Sequence, residues 1–97
     1  MDAAELRAST TAAAAPDGLA PCVRALWHAA RGEWDRAHEI AQGEDGSDGA
    51  WVHAHLHRIE GDLGNAGYWY RRAGKPAATG GLDAEWDAIA AALLAAG

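Results

Sequence analysis

The stretch VRALWHAARGEWDRAHEI, residues 23–40, is echoed 29 residues later by VHAHLHRIEGDLGNAGYW, residues 52–69. Shifting one onto the other places Val23 on Val52, Ala25 on Ala54, Trp27 on Leu56, His28 on His57, Ala30 on Ile59, Gly32 on Gly61, Glu33 on Asp62, Trp34 on Leu63, Ala37 on Ala66 and Ile40 on Trp69. In the first copy Val23, Leu26, Trp27 and Ala30 recur at i, i+3, i+4 and i+7, the spacing of one buried helix face. In each copy a glycine follows that helix, and an alanine stands five residues later, where a close helix approach needs a small side chain. A unit of this kind cannot bury its apolar face alone but can do so by stacking on a second unit. The pattern therefore predicts an all-α protein made of two helical hairpins related by a 29-residue internal repeat.

The flanks complete that reading. Helices are expected over about 21–31, 33–42, 50–60 and 62–73. Pro21 opens the first of these, and Gly32 and Gly61 stop the first helix of each hairpin. The expected inward residues are Trp34, Ala37, Ile40 and Ala41 on the second helix, and Val52, Leu56 and Ile59 on the third. On the fourth they are Leu63, Ala66, Tyr70 and Ala73. GEDGSDG at 43–49 reads as a polar loop and GKPAATGG at 74–81 as a linker. Asp83 is a plausible N-cap for a C-terminal capping helix that buries Trp86, Ile89, Ala90 and Leu93. Residues 2–15 are Ala-rich with Leu6 as their only large apolar group, so a helix there has little with which to dock. The organisation expected is a weakly structured segment over 1–18 and one helical-repeat domain over 19–97.

GEWDRAHEIAQ and GDLGNAGYWYRRAG resemble the second helices of tetratricopeptide and Sel1-like repeats, with Gly61, Ala66, Tyr70 and Ala73 carrying the likeness in the second unit. That resemblance implies an α-hairpin repeat fold and a protein-binding role. The longer string WVHAHLHRIEGDLGNAGYWYRRAGKP is similar to a group of small uncharacterised bacterial and fungal proteins, and it implies no activity.

Composition excludes several classes. The chain has 97 residues and a net charge of −6, which repels phosphate backbones, so no nucleic-acid partner is expected. The basic group Arg71, Arg72 and Lys75 is too small to reverse that field. No run is long and apolar enough for a membrane span, and the N-terminus lacks the pattern of a signal peptide; a cytoplasmic protein is the expectation. One cysteine, Cys22, permits no intramolecular disulfide and no cysteine-rich zinc motif. Five Trp and two Tyr with no Phe anchor a small Ala-rich core, and each buried indole N–H needs an acceptor.

HAHLHR at 53–58 concentrates three of the five histidines. His53 and His57 share one helix face, with Glu60 nearby, and His55 points to the other side near Trp51. An i, i+4 histidine pair can reach one Zn²⁺, but Ala54 stands where the HExxH signature needs its glutamate. Metal binding or hydrolysis on His53, His57 and Glu60 is therefore the alternative reading. The leading one gives His28 and His57 a structural or ligand-contacting task performed twice, at the end of the first helix of each hairpin. No cofactor and no catalytic nucleophile are expected, Cys22 reading as a small buried thiol. The leading function is a protein-interaction module. Its partner-binding residues are Trp51, Asn65, Tyr68, Trp69 and Arg72, and its partner is a protein, a peptide or a second copy of the chain.

Overall fold

Pro21 suits a first helical turn, where its fixed φ helps and its missing N–H is no loss. In the computed structural model, which describes residues 1–96, that helix runs Pro21–Ala30. It is the second of six: α1 (Ala3–Ala8), α2 (Pro21–Ala30), α3 (Trp34–Gln42), α4 (Ser47–Ile59), α5 (Leu63–Ala73) and α6 (Leu82–Ala96), with a 3₁₀ turn at Ser9–Thr11. The described residues contain no strand. The protein is all-α, and none of these helices is long and apolar enough to cross a membrane.

Two helix ends 29 residues apart close in the same way. Gly32 and Gly61 adopt φ of +77° and +82°. The next residue, Glu33 or Asp62, donates its backbone N–H across 3.0 Å to the carbonyl of His28 or His57. This left-handed closure satisfies carbonyls that the helix end would otherwise orphan, and only glycine takes it without strain. Gly74 ends α5 with the equivalent bond from Lys75 to Tyr70, whereas α3 ends at Gly43 without the left-handed turn. α4 begins earlier than the loop reading expected: Ser47 to Gly49 already belong to it, with Gly46 as N-cap. A Cβ at Gly49 would strike the backbone of Glu44, so only glycine allows this tight start.

α2 and α4 are the central pair. α3 packs against both, α5 packs against α4, and α6 with α1 covers the opposite side. The burial pattern explains that layering. Cys22, Val23, Ala25, Leu26 and Trp27 are all buried, as is every residue from Val52 to His57. A helix buried around its whole circumference needs neighbours on both sides. α6 therefore lies along the flank of α2 and α4 instead of stacking on the end of α5 as a repeat cap would. Its Trp86, Ile89, Ala90 and Leu93 enter the core, and Trp86 Nε1 donates to the Leu26 carbonyl at 2.7 Å. Trp27 donates to Ser9 Oγ at 3.1 Å and Trp34 to the Leu56 carbonyl at 2.6 Å.

Several expected core positions lie outside. Leu63 is 68 % exposed, Ile59 37 %, and Ala30 is also exposed. All three sit at helix ends near the hairpin turns, past the point where a neighbouring helix covers them. The opposite correction applies at the N-terminus. Asp2 and Glu5 form a reciprocal capping box on α1, and Leu6 is fully buried in the main core. Arg7 lies 4.3 Å over the Trp86 ring and bonds Asp87, while Arg31 holds the Thr10 carbonyl at 3.1 Å. Full burial of Leu6 contributes about 1.5–3 kcal/mol to docking α1, and the Arg7 and Arg31 contacts add to it.

Candidate functional site

At 100° per residue, alternate positions of HAHLH fall on opposite sides of α4. His53 and His57 face α3 and α5, whereas His55 faces α6. All three are buried.

On the first side, His57 Nδ1 lies 2.6 Å from Glu60 Oε1. The carboxylate accepts only, so Nδ1 carries the proton of this bond. His28, its counterpart in the first hairpin, makes a similar bond to Glu33 Oε1 at 2.8 Å. That bond, with Arg31 beside it, holds the Glu33 carboxyl below the ordinary range. Both repeat-equivalent histidines thus sit at the end of a first helix and hold a local glutamate.

α3 supplies a residue that the α4 pattern alone does not indicate. His38 sits with its ring centroid 4.8 Å from His53 and 5.4 Å from His57, while His53 and His57 stack at 5.7 Å with 10° between their planes. The three each bring a ring nitrogen to within 4.8 Å of the others. Trp34 stacks on His38 at 4.7 Å and Trp69 on His53 at 4.0 Å, so the cluster has an aromatic wall on either side. Burial, then the neighbouring His38 and His57, then Arg72, pushes the His53 pKa down to about 4. Burial and His57 also lower that of His38. Both rings are therefore neutral at pH 7, with nitrogen lone pairs available.

Glu60 was the expected third member beside His53 and His57. It is engaged instead with His57 Nδ1, and with His57 and Asp62 it forms a second, more exposed group. The ring that completes the triangle is the half-buried His38. Its only trace in the sequence is its place next to Ala37, the small residue that lets α3 come close to its neighbours.

Of the expected contact residues, Tyr68, Trp69 and Arg72 meet one another beside this cluster, whereas Trp51 lines a groove with the 75–81 linker and α6. Arg72 lies 5.2 Å over the Trp69 ring and donates to Tyr68 Oη at 3.1 Å, and Tyr68 meets Trp69 edge-on at 5.2 Å. Trp69 thus has His53 stacked on it and Arg72 over it. Lys75 lies 4.3 Å over Trp51. Asn65 is exposed, with its amide nitrogen 3.5 Å from His57 Nδ1. Arg7, Arg31, Arg36 and Arg58 all make ion pairs, whereas Arg71, Arg72 and Lys75 make none among the described residues.

The other side of α4 holds a network that the sequence did not reveal. Glu85 of α6 accepts from His55 Nδ1 at 2.7 Å, from Arg58 at 3.2 Å and from the Tyr70 hydroxyl. Burial pushes the Glu85 carboxyl up, but the donors His55, Tyr70 and Arg58 outweigh it and the net shift is downward. Tyr70 moves upward, through burial and then through its bond to Glu85. Elsewhere, burial and the acidic Glu44 and Asp48 raise the Cys22 thiol to about 11, which leaves it protonated and unreactive at neutral pH.

The chain matches no protein-family model, no curated protein and no solved structure.

Proposed function

We propose that the protein is an interaction module of the tetratricopeptide-like kind. Its contact surface is the cation–aromatic rim of Trp51, Asn65, Tyr68, Trp69 and Arg72, and its partner is an acidic protein segment. The observation that carries this reading is the unpaired charge on an acidic chain. Net charge is −6, yet Arg71, Arg72 and Lys75 collect without carboxylate partners at one end of α5, where two of them lie over aromatic faces. A cation held over a ring keeps its forward donors free for a bidentate carboxylate. Tyr68, 44 % exposed, supplies apolar contact beside it. Rigid aromatic anchors with arginine are the residue types that dominate binding energy at protein contacts.

The acidic stretch Glu44–Asp48 offers the same chemistry on a second copy of the chain. Sedimentation of the full chain over a wide concentration range tests self-association, and titration with acidic and neutral peptides of matched length tests a foreign partner. The expected result is association that weakens with salt. It should also weaken on Tyr68→Ala and fall away on Arg72→Glu, with helicity retained. A strict monomer that binds acidic peptides no better than neutral ones would overturn the proposal.

A further inference from the structure

The contact between α3 and α4 carries a second site, independent of the rim's partner. We infer that His38, His53 and His57 bind one Zn²⁺ through three imidazole nitrogens, with Glu60 orienting His57 and the fourth position left to water or to an incoming donor.

Three observations converge on it. The first is geometry across two helices: the three rings bring nitrogens to within 4.8 Å of one another. Zn–N bonds of about 2.0–2.1 Å in a tetrahedron set nitrogens roughly 3.3 Å apart, so the three rings must draw together by no more than about 1.5 Å. The second is the want of partners. Buried polar groups are hydrogen-bonded in the great majority of cases. His53 is 4 % exposed, and no protein group hydrogen-bonds its ring nitrogens among the described residues, so these keep contact with solvent; the ring packs against Trp69 and the other two imidazoles. His28 and His55, by contrast, each hold a carboxylate. The third is the Glu60 bond to His57 Nδ1 at 2.6 Å. A carboxylate on the far nitrogen of a ligating histidine fixes its tautomer and raises its basicity.

The donor set selects the ion. Three imidazole nitrogens with no carboxylate among the ligands suit Zn²⁺ and its transition-metal neighbours and do not suit Mg²⁺ or Ca²⁺, which take oxygen. A three-histidine site with an open position is the pattern of zinc that binds water or an exogenous ligand. Because His38 stands on α3 and the other two on α4, the ion would also tie the first hairpin to the second. Any ligand held only by the folded state raises the melting temperature.

The test uses the full chain, stripped with a chelator and titrated with Zn²⁺ by calorimetry and with Co²⁺ by visible absorption. Expected are one equivalent of either metal, the intense absorption of tetrahedral Co²⁺, and a higher melting temperature with Zn²⁺. His38→Ala and His53→Ala, each with unchanged far-UV circular dichroism, should weaken binding about 100-fold or more, and Glu60→Gln about 10- to 100-fold. His28→Ala and Asp62→Asn should leave it unchanged. Wild-type protein that takes up no stoichiometric metal overturns the inference without recourse to any variant. Uptake that survives His38→Ala but is lost with Asp62→Asn also overturns it, by assigning the metal to the exposed group of His57, Glu60 and Asp62.

Discussion

His53 and His55 stand two residues apart on one helix, are equally buried, and have opposite surroundings. His55 gives Nδ1 to Glu85, whose carboxylate also takes the Tyr70 hydroxyl and Arg58, so α4, α5 and α6 are joined through one acceptor. His53 packs against three rings and makes no such bond. A buried polar side chain bonded to a buried carboxylate helps hold the fold together. One that is buried without such bonds contributes little to holding it, and its lone pair remains for something else. The two sides of α4 therefore divide the work: the side toward α6 is a structural joint, and the side toward α3 and α5 is where a ligand fits.

The largest test of that division is Glu85→Ala. It removes one carboxylate and strands three donors in the interior, and breaking a buried charged pair costs about 3–5 kcal/mol. Chemical denaturation should show this loss with helix content retained in what remains folded; a change under 1 kcal/mol would dissolve the distinction between the two sides. The same contribution titrates. The folded-state pKa of Glu85 lies below the ordinary value of 4.5, so its stabilisation is complete above that pH and is lost as pH falls through the lower folded value. Denaturation curves from pH 7 down to acid should be flatter for Glu85→Gln than for wild type.

His55→Phe should cost about 1–3 kcal/mol, because it deletes one donor to a buried acceptor while keeping the ring's bulk. Tyr70→Phe, which removes only a hydroxyl from the same carboxylate, should cost about 1 kcal/mol. The smallest effect belongs to the other side of the helix. In metal-free protein, His53→Phe should change stability by no more than about 1 kcal/mol in either direction, since it exchanges an unbonded desolvated imidazole for an apolar ring of similar size. If His53→Phe proved as costly as His55→Phe, both histidines would be structural and the metal-free comparison would fail.

Local pattern carried the all-α class, the glycines that end α2, α4 and α5, and the burial of Val23, Leu26, Trp27, Val52, Leu56, Ala66, Tyr70, Trp86 and Ile89. These follow from periodicity and backbone freedom, which are properties of a few consecutive residues. The same pattern separated His53 and His57 from His55, because two positions along a helix reverse a side chain's direction. It misplaced Leu63, Ile59 and Ala30, since a wheel says which face a residue shares and not where along its length the neighbour stops.

What tertiary structure alone decided is which groups meet across helices. His38 reaches His53 only because α3 packs against α4. Glu85, which no sequence pattern singles out, becomes the acceptor for His55, Tyr70 and Arg58 only because α6 lies along the α2–α4 flank. Leu6 anchors a short N-terminal helix because α1 packs against α6 and α2. Each of these depends on the relative placement of segments 15 to 80 residues apart, and that placement is set by the global filling of the core. The period of any single helix carries no record of it.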